Sequence, residues 1–82
     1  MKTARELFEE LGYTCEKSNG EVIVYRYYTT DSHDEDAYIH EIDFCLNLKK
    51  YCVIENLGGL YIDTETHKAI TKQLEELGWL EN

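Results

Sequence analysis

The last twenty residues of the chain carry the pattern of a single amphipathic helix, and this pattern constrains the fold most. Asp63 can accept backbone N–H bonds ahead of the first turn, and Glu65 adds negative charge where the helix dipole favours it. Ile70, Leu74 and Leu77 then form one apolar stripe at i, i+4, i+7 spacing. A stripe this narrow predicts a helix that lies on a sheet.

A second helix is predicted near the start of the chain, from Ala4 to Leu11. Thr3 followed by Glu6 fits the capping box, in which each side chain satisfies a backbone N–H group of the other residue. Leu7 and Phe8 belong to its apolar stripe. This helix therefore also has one face to bury.

The two helices are predicted to end in the same way. EELGY at residues 9–13 is echoed by EELGW at residues 75–79. Glycine adopts the left-handed conformation at low cost after a helix, and the aromatic residue that follows can fold back onto the last turn. Gly12 and Gly78 are therefore the expected stop positions.

Between the helices the apolar period changes to two, which is typical of strands. Residues 13–17 and 21–29 are predicted strands joined by Ser18-Asn19-Gly20, where Asn-Gly favours a type I′ turn. Both faces of the second strand carry apolar bulk, which indicates a central position in the sheet.

A third strand is predicted from Tyr38 to Leu46, with one side in the core and the other in water. The expected core side holds Ile42, Phe44 and Leu46, and the expected water side holds Glu41, Asp43 and Cys45. If Leu48-Lys49 are the central residues of the next turn, Cys45 pairs with Cys52 across the hairpin.

Residues 51–55 are predicted to return as a strand, Gly58-Gly59 to turn, and residues 60–62 to form a short strand before the last helix. We therefore predict one α+β domain spanning residues 1–82, with an antiparallel meander of four or five strands flanked in sequence by two helices. Both helices are expected to pack on one face of the sheet.

The charge balance predicts the class of partner. The chain carries 17 acidic and 8 basic residues, a net charge of −9, which repels nucleic-acid phosphates and disfavours direct binding of DNA or RNA. This charge favours binding to a basic protein partner, or it serves only to keep the protein soluble. No apolar run approaches the length of a membrane span and no signal region opens the chain, so we expect a cytoplasmic protein without membrane contact.

The cysteines and the acidic loop give no strong sign of a metal. The three cysteines lack the CxxC spacing of zinc sites, so reduced, half-buried thiols are expected. His33 lies among carboxylates in the loop at residues 30–37, and His40 follows, so the ligand types for an ion are present. The spacing fits no defined metal loop, and we predict no metal and no cofactor.

The sequence likewise favours a non-catalytic protein. The cysteines lie in strand patterns away from any obvious base, and no glycine-rich phosphate loop follows a strand. The seven tyrosines are a possible stacking platform for single-stranded nucleic acid. The basic groove that such a platform needs is missing, and tyrosine is also an ordinary strand residue.

Carboxylates at the helix ends are the most informative oddity. Glu9, Glu10, Glu75 and Glu76 stand where the dipole favours Lys or Arg, and each costs about 0.3–1 kcal/mol at low salt. Folding alone does not choose them, although glutamate is a good helix former and exposed positions are polar in any case.

Carboxylates on a strand extend this set. Glu41 and Asp43 are about 6.8 Å apart along an ideal strand, which is close to two phosphate steps of one DNA strand. Such a surface suits a basic nucleic-acid channel. The candidate partner-binding residues are Glu9, Glu10, Asp34, Glu35, Asp36, Glu41, Asp43, Glu75 and Glu76.

The two ends of the chain carry a resemblance. MKTARELFEELGY at the start and DTETHKAITKQLEELGWLE at the end resemble small proteins encoded by phages and prophages of Gram-positive bacteria. The resemblance covers the helices, their caps and core positions, and it carries over no binding residue. It implies a phage origin and action in the host bacterial cytoplasm.

Three hypotheses follow from charge and resemblance. In the first, the chain blocks a basic surface of a host nucleic-acid enzyme or immune protein, as anti-CRISPR proteins do. In the second, it is a phage accessory or structural protein whose acidity serves only solubility. In the third, it is a small metal-dependent enzyme or ligand binder that uses His33 and its neighbours.

Overall fold

Two helices enclose a four-stranded meander in the order of the chain. The computed structural model describes residues 2–28, 38–55 and 62–80. The elements in order are α1 (Ala4–Glu10), β1 (Tyr13–Ser18), β2 (Val22–Tyr28), β3 (Tyr38–Cys45), β4 (Lys50–Glu55) and α2 (Thr64–Glu76). Neighbouring strands pair antiparallel in the order β1-β2-β3-β4. The predicted α+β class is therefore confirmed.

The predicted helix starts are confirmed in detail. The Thr3 hydroxyl accepts from the Glu6 N–H at 3.2 Å, and the Glu6 carboxylate accepts from the Thr3 N–H at 2.9 Å, which completes the capping box. At the second helix the Asp63 carboxylate accepts from the Thr66 N–H at 2.7 Å. Each helix thus begins where a side chain satisfies a backbone donor.

The helix stops are also those predicted. Gly12 and Gly78 have φ angles of 98° and 75°, in the region that favours glycine. The Trp79 N–H then donates to the Leu74 carbonyl at 3.0 Å. This bond closes the predicted C-cap of α2.

The helices bury their apolar faces against one side of the sheet. Phe8 of α1 stacks on Tyr25 of β2 with ring centroids 4.1 Å apart, and Ile70 of α2 is buried. The buried core consists of Phe8, Tyr13, Tyr25, Ile42, Phe44, Ala69 and Ile70, with Leu74, Leu77 and Trp79 packed at its border. The stripe predicted for α2 therefore faces the core.

The central position of β2 is confirmed, because it lies between β1 and β3 and none of its residues is fully exposed. A bulge between Cys15 and Lys17 shifts the β1–β2 register by one residue. A second irregularity falls between Tyr27 and Tyr28 in the β2–β3 pair.

The predicted type I′ turn after β1 is wrong. The Asn19 carboxamide oxygen accepts from the N–H groups of Glu21 and Val22 at 2.7 and 2.9 Å. Gly20 is not among the residues with positive φ, which the I′ turn requires. The asparagine therefore shapes the turn through its side chain, as in an Asx turn.

The predicted register of the β3–β4 hairpin is also wrong. Four residues, 46–49, form the turn, so Cys45 pairs with Lys50, and Cys52 pairs with Asp43. A two-residue turn centred on Leu48-Lys49 needs left-handed residues, whereas only Lys49 of the described non-glycine residues has positive φ. Cys45 and Cys52 are free thiols.

The predicted turn at Gly58-Gly59 and most of the short strand at 60–62 lie outside the described residues. Ile62 belongs to no strand. No helix among the described residues is long and apolar enough to cross a membrane.

Candidate functional site

The helix-end carboxylates form two separate groups. α1 and α2 run antiparallel, because the Ala4 N–H at the start of α1 donates to Glu76 at the end of α2. At the other end, Glu10 of α1 shares a shallow pocket with Glu65 of α2. The Glu9–Glu10 pair and the Glu75–Glu76 pair therefore lie at opposite ends of the helix layer and are not brought together.

The fold uses two of these four carboxylates. Glu76 accepts from the Ala4 N–H at 2.8 Å, where the positive end of the α1 dipole favours a carboxylate. Glu10 forms an exposed ion pair with Lys2. Within residues 2–28, 38–55 and 62–80, the exposed side chains of Glu9 and Glu75 have no hydrogen-bond or ion-pair partner. Within the described residues, these two carboxylates therefore make no contact that stabilises the fold.

Glu41 does not meet water, contrary to the sequence prediction. It is only 7% exposed, because the Arg26 guanidinium on the neighbouring strand lies over it, with Nε 2.5 Å from Oε1. Hydrogen bonding to Glu41 in turn raises the pKa of Arg26 above its usual value. Glu41 is therefore held by the sheet and is not available on the surface as a phosphate-like charge.

Asp43, two positions along β3, is half-buried with an unsatisfied oxygen. Its Oδ1 is buried and has no partner among the described residues. Burial, then the neighbouring Glu41 carboxylate, raises the pKa of Asp43 to about 6. Both effects favour the protonated form of Asp43.

The predicted acidic loop falls outside the described residues. This applies to Asp34, Glu35 and Asp36, and to the metal hypothesis at His33. Among the residues that the structure does describe, no group of three or more His, Cys, Asp or Glu side chains is placed to hold a metal ion. A role of this loop in binding stays a prediction.

A different site appears beside α2, where three strands bring together a carboxylate, an imidazole and a phenol. Glu55 Oε2 of β4 lies 2.6 Å from His40 Nε2 of β3. On the other side of the ring, His40 Nδ1 lies 3.2 Å from the Tyr13 hydroxyl of β1. These contacts form a continuous polar chain.

This polar chain borders a cleft of about 290 Å³ between the sheet and the start of α2. The cleft is lined by Leu11, Tyr13, Tyr27, His40, Asp63 and Thr66, and we call it the His40 cleft. Burial raises the pKa of Tyr13, and the negative charges of Asp63 and Glu55 raise it further. The phenol therefore stays protonated.

Sequence reasoning missed this cleft because it placed the β3–β4 register wrongly. In the observed register His40 is directly opposite Glu55, so the ion pair follows from that register alone. The signal in the sequence was a histidine and a glutamate on two adjacent strands.

Comparison with protein families, with curated proteins and with solved structures finds no match to this chain.

Proposed function

We propose that this chain is a non-catalytic, phage-encoded binding module that occupies a basic surface of a host protein handling nucleic acid or acting in immunity. The observation that carries the proposal is that Glu9 and Glu75 are exposed, lie at helix ends where the dipole disfavours them, and have no partner among the described residues. A side chain that costs folding free energy and makes no contact within the described residues is best explained by a contact with another molecule.

The charge of the whole chain supports this class of partner. A net charge of −9 on 82 residues steers a basic surface toward the protein and repels nucleic acid from it. Neither helix has a basic residue in its last turn to offset the carboxylates. The two helix ends therefore present negative charge toward a partner.

The described contacts narrow the predicted binding set. Glu41 is buried under Arg26, and Glu76 caps α1. We therefore assign binding chiefly to Glu9 and Glu75 among the described residues, and Asp34, Glu35 and Asp36 remain candidates from the sequence.

The test is capture from a lysate of a Gram-positive host, at low and at high salt. We expect a nucleic-acid enzyme to be retained and then released by salt, because screening shortens the Debye length from about 10 Å at 0.1 M to about 3 Å at 1 M. Added nucleic acid should compete for the captured protein, and the protein should lose activity when this chain is bound.

A matched pair of variants separates a binding surface from bulk acidity. Glu9→Gln with Glu75→Gln should abolish capture. Glu16→Gln with Glu21→Gln removes the same charge from the sheet side and should leave capture intact. Equal effects of the two double variants, or no captured partner, favour an accessory protein whose acidity serves only solubility.

A further inference from the structure

We propose that this chain forms a two-fold symmetric homodimer, in which β4 of one copy pairs antiparallel with β4 of a second copy. The two meanders then join into one continuous sheet. The proposal concerns a strand edge and does not depend on the proposed function. It is carried by the open edge of β4, by its apolar side chains and by the cross-strand pairs that a second copy supplies.

The edge of β4 is regular, and among the described strands β4 has a neighbour on one side only. It pairs with β3 along Lys50–Glu55 without a shift in register. Of the described elements, only β3 packs extensively against it. A strand in this position presents N–H and C=O groups along its outer edge, and these groups favour pairing with a further strand.

The other edge strand, β1, is protected against such pairing. A bulge between Cys15 and Lys17 interrupts its register, and the side chains of Glu16 and Lys17 are exposed there. Bulges and charged side chains are common devices that keep edge strands from pairing between molecules. The charged residues of β4 stand only at its two ends. Association through a strand edge is therefore directed to β4.

The middle of β4 is apolar and partly exposed. Its four central residues are Tyr51, Cys52, Val53 and Ile54, a run with high β-propensity and no charge. Tyr51 is 42% exposed, although its ring centroid lies 5.6 Å from that of the core residue Phe44. A second strand beside β4 covers part of this apolar surface.

A second copy of β4 complements the strand in one register. Residues directly opposite each other in an antiparallel pair lie on the same face. When Cys52 is opposite Cys52 of the second copy, Tyr51 is opposite Val53 and Lys50 is opposite Ile54, each twice. Aromatic and β-branched residues are favoured cross-strand partners. The two Lys50 residues are then about 14 Å apart along the strands, at about 3.4 Å per residue, so like charges are kept apart.

The oligomeric state tests the proposal, measured by sedimentation equilibrium from about 1 μM to about 1 mM, the affinity range of a small interface. We expect the mass to rise with concentration from that of one chain to that of two. Each copy carries a net charge of −9, so added salt should strengthen the dimer by screening the repulsion. A chain that stays monomeric at the highest concentration would overturn the proposal and leave the edge to a segment of another protein.

A matched pair of variants locates the interface. Cys52→Lys places two ammonium groups opposite each other at the two-fold axis, where like charges destabilise the pair, and it should weaken dimerisation about tenfold or more. Within its own chain this position is opposite Asp43, so the fold should be retained, and the amide spectrum reports this. Thr14→Lys makes the same charge change at an exposed position of β1 and should leave the dimer intact. Equal dimerisation of the two variants would refute the proposal.

Cross-linking checks the register without changing β4. In the chain with Cys15→Ser and Cys45→Ser, only Cys52 remains, and opposed Cα atoms about 4.5–5.5 Å apart lie within the range of a disulfide. Diamide forms this bond by accepting the two electrons and two protons of the two thiols. Partial burial raises the pKa of the Cys52 thiol, so this thiol by itself reacts slowly.

The control for cross-linking is a chain in which all three cysteines are replaced by serine and Thr14→Cys supplies an exposed thiol on β1. Covalent dimer should form about tenfold faster through Cys52 than through this control thiol, because pairing raises the effective concentration of the two Cys52 thiols. Equal rates would contradict the pairing of β4 with β4.

Discussion

Glu76, in the last turn of α2, accepts a hydrogen bond from the backbone N–H of Ala4, in the first turn of α1, at 2.8 Å. One carboxylate thereby links the ends of two antiparallel helices across 72 positions of sequence. Its place at the end of α2 is unfavourable for that helix and favourable for α1. The contact explains one of the four acidic helix-end residues without any partner.

Glu76→Ala should lower the free energy of unfolding by about 1 kcal/mol, the usual value of a hydrogen bond at a helix start. Glu76→Gln should recover part of this, because it keeps the acceptor. Glu75→Ala should stay within about 0.5 kcal/mol of the parent. Urea unfolding measures all three, and equal losses at positions 75 and 76 would contradict the role given to Glu76.

Stability should fall as pH rises through the titration of Asp43. Its pKa is raised from 3.8 to about 6, so in this window the folded state holds a proton that the unfolded state has lost. The free energy of unfolding therefore decreases with rising pH. Since Asp43 is partly exposed, we expect a change of about 1 kcal/mol between about pH 4 and pH 7.

The variant Asp43→Asn removes this titration and should flatten the pH profile of stability over that window, measured by urea unfolding. It should also be more stable than the parent at neutral pH, because the carboxylate beside Glu41 is gone. Glu21→Gln, at an exposed position, should keep the slope of the parent. If the pH dependence of stability persists in Asp43→Asn, the titrating group is not Asp43.

The buried pair of Tyr25 and Gln73 should show strong coupling. The Tyr25 hydroxyl donates to Gln73 Oε1 at 2.7 Å, and burial raises the pKa of Tyr25 to about 12, so it remains a donor. Tyr25→Phe leaves a buried acceptor unsatisfied and should cost about 1–3 kcal/mol.

A double-mutant cycle checks this pair. Gln73→Met alone should also destabilise, whereas Tyr25→Phe with Gln73→Met should lose less than the sum of the two single losses. Additive losses would mean that the two groups do not depend on each other.

Gly12→Ala should destabilise the chain far more than Gly20→Ala. At Gly12 an added Cβ meets Tyr27 at 2.8 Å and the φ is 98°, whereas nothing lies within 4 Å at Gly20. We expect a loss of about 1–3 kcal/mol at Gly12 and near neutrality at Gly20. Thermal unfolding of both variants is the measurement, and similar midpoints would contradict the strain at Gly12.

The helix caps were predictable from the sequence because their partners lie within a few residues of each other. The geometry of each cap is set by two residues close in sequence, Thr3 with Glu6 and Gly78 with Trp79. The core stripe on α2 followed for the same reason, since Ile70, Leu74 and Leu77 need only a period.

The hairpin register was not predictable in this way. The left-handed residue in the turn at 46–49 is Lys49, with φ 53°, and lysine gives no sign of that conformation. The predicted register was shifted by two residues, which keeps every side chain on its correct face. In the predicted register His40 pairs with Leu57, whereas in the structure it pairs with Glu55. The core residues were therefore predicted correctly, but the cleft was not predicted.

The burial of Glu41 depends on contacts that are still less local. Alternation places it on the outer face of β3 correctly, but only the β2–β3 register brings Arg26 over it. Residues 29–37 connect these two strands, and they contain no Gly, Pro or Asn that would fix the position of a turn. A charge on an outer face was therefore taken for a charge in water.

The meander order has a consequence for how the chain assembles on the ribosome. Each strand pairs with the one made just before it, so the sheet can grow as residues emerge at about 5–20 per second. The first helix, in contrast, is made long before Glu76, which accepts a hydrogen bond from its Ala4 N–H. The contact between the two helix ends therefore forms only after residue 76 has been made.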